Sequence, residues 1–188
     1  LCDPCRRRFV ERRPDGCARC GAATADGGRC RSDHRHLRHV SQLIAPYRFV
    51  GTAGRLVRRF KLGGDAAAGR WLARAMADAF RICGAAGRPL VLSVPLHRAR
   101  RRRRGFDQAA WLALGIAKRL GLRAATGVLV RTRATRPQGD AMVLSRTDNV
   151  RGAFAVREPE AIRGRSVLLI DDVFTTGATA RTCAKLLK

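Results

Sequence analysis

The segment from Val167 to Ala180 constrains this chain more than any other. Four apolar residues in a row, Val167 to Ile170, run directly into two carboxylates, Asp171 and Asp172. A loop containing Thr175, Thr176, Gly177 and Thr179 follows, and then a helix-like tail through Ala184 and Leu187. An uninterrupted apolar run of this length reads as a buried parallel strand. A loop that enters a helix N-terminus offers free backbone N–H groups, a favourable dipole and hydroxyl donors to an anion. Gly177 lets the backbone approach closely. Two carboxylates would repel a phosphate, so Asp171 and Asp172 require another partner: sugar hydroxyls, a divalent metal, or both. The parts together describe a site for a phosphorylated sugar.

The string closely resembles the phosphoribosyl-pyrophosphate (PRPP) signature of type I phosphoribosyltransferases. The resemblance implies that Asp171 and Asp172 are the catalytic pair that holds the ribose hydroxyls. It also implies that Thr175, Thr176, Gly177, Ala178 and Thr179 wrap the 5′-phosphate. Phe174 is bulkier than the aliphatic residue usual there.

Upstream, residues 44–50 read as an edge strand, because Pro46 bars them from a sheet centre. Gly51 to Gly64 reads as a short basic helix with Leu56, Val57 and Phe60 on one side and Gly63–Gly64 stopping it. Asp65 caps a longer helix in which Leu72, Met76 and Phe80 share a face. Pro89 to Pro95 is a buried strand, and Phe106 to Leu120 is a helix with an apolar stripe from Ala109 to Leu120. Gly127 to Val130 and Ala153 to Val156 read as further strands, separated by a polar, turn-rich stretch from Thr135 to Asp148. Strands alternating with helices predict an α/β fold, a parallel sheet with helices on both faces. Its ligand crevice lies at the carboxyl ends of the strands. Leu96–His97 and Asp171–Thr179 both follow strand ends and both should border it.

Five of the seven cysteines precede residue 31: Cys2, Cys5, Cys17, Cys20 and Cys30. Cys2-x2-Cys5 and Cys17-x2-Cys20 have the knuckle spacing of a zinc ribbon. So small a core needs a metal or disulfides. No apolar signal core opens the chain, which argues for a reducing, cytoplasmic compartment and for structural zinc. Two ligand sets fit the spacing. Cys2, Cys5, Cys17 and Cys20 form one; Cys17, Cys20 and Cys30 with Asp33 or His34 form the other, leaving Cys2 and Cys5 as half of a second site. Cys83 and Cys183 read as small core residues. The ribbon spans residues 1–36 and the α/β domain residues 41–188. The start without Met and the end inside a helix suggest that both domains are clipped.

The net charge of +25 invites a nucleic-acid reading. Only Lys61, Lys118, Lys185 and Lys188 are lysines, however, and the excess of Arg beside abundant Ala and Gly points to a compositional bias. An anionic substrate would also favour a basic mouth. No run of about 18 apolar residues exists, so no membrane span is expected.

Arg98 and Arg100 to Arg104 place six guanidiniums in seven residues, directly after a strand end. Arginine suits bidentate phosphate contact, so this run is a pyrophosphate grip, a nucleic-acid contact or a solvated face. At this point a closer resemblance appears. SVPLHRARRRRRGFDQA, residues 93–109, is similar to a segment of the ComF family of competence proteins, written there VPVPLHRxRxRxRGFNQA. RFVGTAGRLVRRFKLGGD, RATRPQGD and LSRTDNVRGAFAV fit the same family in the same order, as does an N-terminal zinc ribbon. Departures are Asp107 where Asn is usual, Gly139–Asp140 where Ser/Thr-Gly is usual, and Asp33 in place of the last ribbon cysteine. The resemblance implies a type I phosphoribosyltransferase fold, PRPP binding with Mg²⁺, and a cytoplasmic role in DNA uptake during natural transformation. Single-stranded DNA and the competence helicase machinery are the partners it implies. Leu96, His97 and Arg98 would hold pyrophosphate, with His97 a candidate proton donor. A transferase reaction is not itself delivered by the resemblance, and a non-catalytic module that binds single-stranded DNA is the alternative.

Overall fold

A computed structural model describes residues 17, 19, 20, 30, 34–83, 87–133 and 152–188. Cys2, Cys5, Asp33 and the stretch from Thr135 to Asp148 lie outside the described residues. Among the described residues, five α-helices and four strands follow one another as α1 (Gly51–Gly63), α2 (Ala66–Cys83), β1 (Leu90–Ser93), α3 (Arg98–Arg104), α4 (Gln108–Leu120), β2 (Leu129–Arg131), β3 (Phe154–Val156), β4 (Val167–Ile170) and α5 (Ala178–Leu186).

β1 and β4 pair in parallel, with Leu90 opposite Val167 and Ser93 opposite Ile170. A parallel bridge from Val91 to Ala124 extends the pairing on the other side of β1. The apolar runs are continuous because both faces of this small sheet carry core contacts. β4 is nonetheless less buried than its sequence predicts: Val167, Leu168 and Leu169 are half-buried and only Ile170 is buried. Side chains alternate with the pleat. Val91 and Ile170 join α1, α2 and α4 in one core, while Leu90, Leu92 and Val94 join β2, β3 and α5 in the other. α/β architecture with helices on both faces therefore stands.

The helical core is close-packed around Phe60, 1% exposed, whose ring meets Phe106 at 5.4 Å and Trp111 at 5.2 Å between centroids. Gly69 lies directly over these rings, and a Cβ there would sit 2.6 Å from the Phe60 ring. Only glycine allows α1, α2 and α4 to approach this closely.

Two expectations need correction, and the arginine run adds an element not expected from the sequence. Residues 44–50 form no regular strand: Tyr47 makes an isolated β-bridge, and its ring stacks on Trp71 at 5.5 Å. β2 and β3 do not join the parallel pair: they form a two-stranded antiparallel sheet of their own, with Leu129 opposite Val156. The arginine run is a helix, because arginine is a good helix former and the run is bounded by caps. His97 accepts the Ala99 N–H at one end, and Gly105 takes the left-handed conformation, φ 78°, at the other.

Candidate functional site

β1 and β4 lie side by side, and the Val94 N–H donates to the Ile170 carbonyl at 2.9 Å. The chain segments that leave the two strands therefore emerge together at one edge of the sheet. One carries Leu96, His97 and Arg98; the other carries Asp171 and Asp172. Asp107 fixes the first segment. Its Oδ1 accepts the Ala110 N–H at 3.0 Å as the cap of α4, and its Oδ2 accepts the Leu96 N–H at 3.0 Å. A carboxylate offers both acceptors, whereas an asparagine would offer only one oxygen. The departure at this position thus has a structural role. His97 has its Nδ1 engaged by the Ala99 N–H at 3.3 Å, and Arg98 is exposed.

The pleat sends the two acids to different surroundings. Asp171 faces the Cys183 and Arg131 side, where the Arg131 guanidinium lies 5.2 Å over the Phe154 ring. Burial, with the charge of Asp172 beside it, pushes the Asp171 carboxyl up to about 8, so it carries a proton at neutral pH. Its Oδ1 accepts the Asp172 N–H at 2.9 Å. Asp172 turns toward α1, where Lys61 Nζ stands 2.6 Å from Oδ2 in a close ion pair. The Asp172 side chain is 5% exposed.

The loop then delivers Thr175 and Thr176 to the surface, both exposed. Gly177 caps α5 with φ 73°, a left-handed conformation open to glycine at no steric cost. No side chain caps this N-terminus, and no acidic residue lies in its first turn. Ala178 is buried at 5% exposure and Thr179 is partly buried, so their contribution to an anion would come from the backbone. A cavity of about 760 Å³ opens beside the acids, and Tyr47, Val57, Leu72, Phe80 and Phe174 contribute to its mostly apolar wall.

A second cluster lies in the N-terminal region. Cys17, Cys20, Cys30 and His34 bring their ligand atoms within 4.8 Å of one another. Cys17 Sγ is 3.3 Å from His34 Nε2, and Cys20 Sγ is 3.6 Å from Cys30 Sγ. Tetrahedral zinc with Zn–S bonds of about 2.3 Å would separate its ligands by about 3.7 Å, so the set could hold a metal such as zinc. The backbone N–H of Cys20 pulls the Cys17 thiol down to about 6, with His34 assisting, which suits a thiolate ligand. His34 itself adopts φ 56°, a left-handed conformation that is uncommon outside glycine and points to a functional constraint. Of the two ligand sets open from the sequence, the described residues form the one with Cys30 and His34.

Sequence reasoning passed over Lys61. A signal was present: it is one of four lysines among 39 basic residues, in a chain that otherwise uses arginine. No helix among the described residues is long and apolar enough to cross a membrane.

Comparison with known proteins gives relatives over the whole chain. The DNA utilization protein YhgH of Salmonella typhimurium is 31% identical over 194 residues, which covers 100% of this chain and 83% of the relative. YhgH of Escherichia coli K12 is 36% identical over 97 residues, 52% of this chain and 42% of the relative. Competence protein F of Haemophilus influenzae is 31% identical over 138 residues, 71% of this chain and 60% of the relative. No family model matches the chain. No solved structure matches it either.

Proposed function

Because the chain belongs to the ComF family, that of the DNA utilization protein YhgH and competence protein F, we propose that it serves DNA utilization as a PRPP-binding protein of type I phosphoribosyltransferase architecture. One observation carries the reading. An acid pair at the carboxyl end of β4 leads through a short loop into the uncapped N-terminus of α5, beside the segment that leaves β1.

In this reading the 5′-phosphate lies on the backbone N–H groups of Thr176 to Thr179 and on the hydroxyls of Thr175 and Thr176. Ribose hydroxyls meet both acids. Asp171, protonated, can donate one hydrogen bond and accept another, while the Asp172 oxygens accept. Neither acid offers a free carboxylate to a cation, since one holds a proton and the other faces Lys61. The residues therefore suit a Mg²⁺ held mainly by the ligand's own oxygens, where it would offset the charge of the pyrophosphate. The pyrophosphate lies toward Leu96, His97 and Arg98, with the Leu96 backbone held in place by Asp107. Displacement at the anomeric carbon is the chemistry this arrangement would serve. Remote phosphate contacts would position the ring and the acids would favour positive charge developing on it. The apolar cavity beside the acids is where an acceptor would sit.

Arg101, Arg102 and Arg103 are exposed on α3 at the rim of the site. They favour a second role in holding single-stranded DNA by its phosphates. With aromatics at 5% of the chain, base stacking would add little.

A thermal-shift comparison tests the assignment against simple polyanion attraction, which a chain of charge +25 must also show. PRPP with Mg²⁺ at a hundredfold excess over its Kd should stabilise the fold by about 2.7 kcal/mol. In a chain of this size that raises Tm by about 5–10 °C. Inorganic triphosphate at equal concentration and moderate salt should give less than half that rise. Equal shifts from both ligands would reduce the site to non-specific charge attraction.

A further inference from the structure

Lys61 stands in the last turn of α1, yet its ammonium reaches the end of β4 and sits 2.6 Å from Asp172 Oδ2. The two partners are unequally covered: the Asp172 side chain is 5% exposed and that of Lys61 29%. A carboxylate so enclosed is costly to keep charged without a cation against it. That oxygen is itself fully buried, with Lys61 against it, while Asp172 lines the cavity in which a sugar diol would have to be held. A diol can reach that buried oxygen only if the ammonium moves off it.

Lysine is suited to leaving. Its compact ammonium moves on a flexible four-carbon stem and loses no fixed bidentate geometry when it swings away. The neighbouring Leu62 is 72% exposed, and Gly63 and Gly64 are exposed, so the end of α1 leaves the stem room to turn. A free ammonium beside a bound pyrophosphate would find new counter-charge there.

We propose that Lys61 is an exchangeable counter-ion for the site. In the empty protein it pairs with the Asp172 carboxylate; on binding it yields that carboxylate to the ligand's diol and moves to the ligand's pyrophosphate. Tight binding then requires one ligand that carries both groups, and Lys61 is the positioning residue that discriminates PRPP from ribose 5-phosphate. The inference rests on the sugar-phosphate reading above.

The test is calorimetric titration of ribose 5-phosphate and of PRPP, both with Mg²⁺, into the full chain as wild type, Lys61→Met and Lys61→Arg. Circular dichroism and melting temperature check that each variant is folded. Wild type should prefer PRPP, Lys61→Met should lower that preference at least tenfold, and Lys61→Arg should restore most of it. Equal losses for both ligands would make Lys61 a merely structural residue and overturn the inference. So would an unchanged preference in Lys61→Met, with the sugar-phosphate reading left standing. A folded wild type that binds neither ligand overturns that reading and the inference with it.

Discussion

Replacing Asp171 and Asp172 together with asparagine should weaken PRPP binding at least a hundredfold while leaving the fold intact. The loss follows chiefly from Asp172, where an amide donor replaces one of two carboxylate oxygens, and to a lesser degree from the altered donor geometry at Asp171. The fold should survive for a reason visible in the Asp171 surroundings. Its folded pKa is raised, to about 8, so its charge-free form is favoured in the fold below that pH. Stability linked to this group is fully present below the unfolded carboxylate pKa of about 4 and is lost as pH rises through about 8. An asparagine removes that loss, so Asp171→Asn should be at least as stable as wild type at neutral pH and relatively more so toward pH 9. Asp172→Asn leaves Lys61 without its partner, but that side chain is 29% exposed and can extend into water. Titration of PRPP into the double variant, with its melting curve as the control, measures both expectations. Wild-type affinity in the double variant would remove the acids from the site.

Cys20→Ser should cost the protein one bound metal ion per chain and loosen the N-terminal region without unfolding the α/β domain. Cys20 is 3% exposed and contributes one of the four ligand atoms. Loss of one thiolate from a closed tetrahedral set sacrifices most of a metal-binding energy of about 10–16 kcal/mol in small zinc modules. The damage should spread along the chain to its contacts. The Leu43 N–H donates to the Arg19 carbonyl at 2.8 Å, and Leu37, fully buried, follows His34 by less than one helical turn. Metal analysis with limited proteolysis reads the outcome: the variant should lose one equivalent and become cleavable before about residue 43, with the rest retained. An unchanged metal content would exclude Cys20 from the ligand set.

Much of the site was legible because its signals are local. The apolar run of β4, the acids that end it and the glycine that opens α5 all lie within one short segment, and each has a single structural reading. The same holds for Asp65, whose Oδ1 accepts the Ala68 N–H at 2.9 Å as predicted for a cap. Three features were illegible, two of them because they depend on contacts distant in sequence. Nothing in Leu129–Arg131 or Phe154–Val156 says that these short strands run antiparallel. The arginine run has no apolar period, so only its caps, His97 and Gly105, mark it as a helix. The ion pair from Lys61 to Asp172 joins a helix and a strand end that no spacing rule connects. Residues 44–50 misled differently. Their apolar character reflects packing of Tyr47 on Trp71 and a cavity wall, and their strand character is confined to a single bridge at Tyr47.

The central claim is that the acid pair and the loop into α5 bind a phosphorylated ribose together with its pyrophosphate. Calorimetric titration of PRPP into folded, zinc-loaded protein, with and without Mg²⁺, tests it most directly. The account predicts saturable binding of one PRPP per chain that requires Mg²⁺. An absence of binding in such a protein, or heats equal to those of triphosphate, would contradict it.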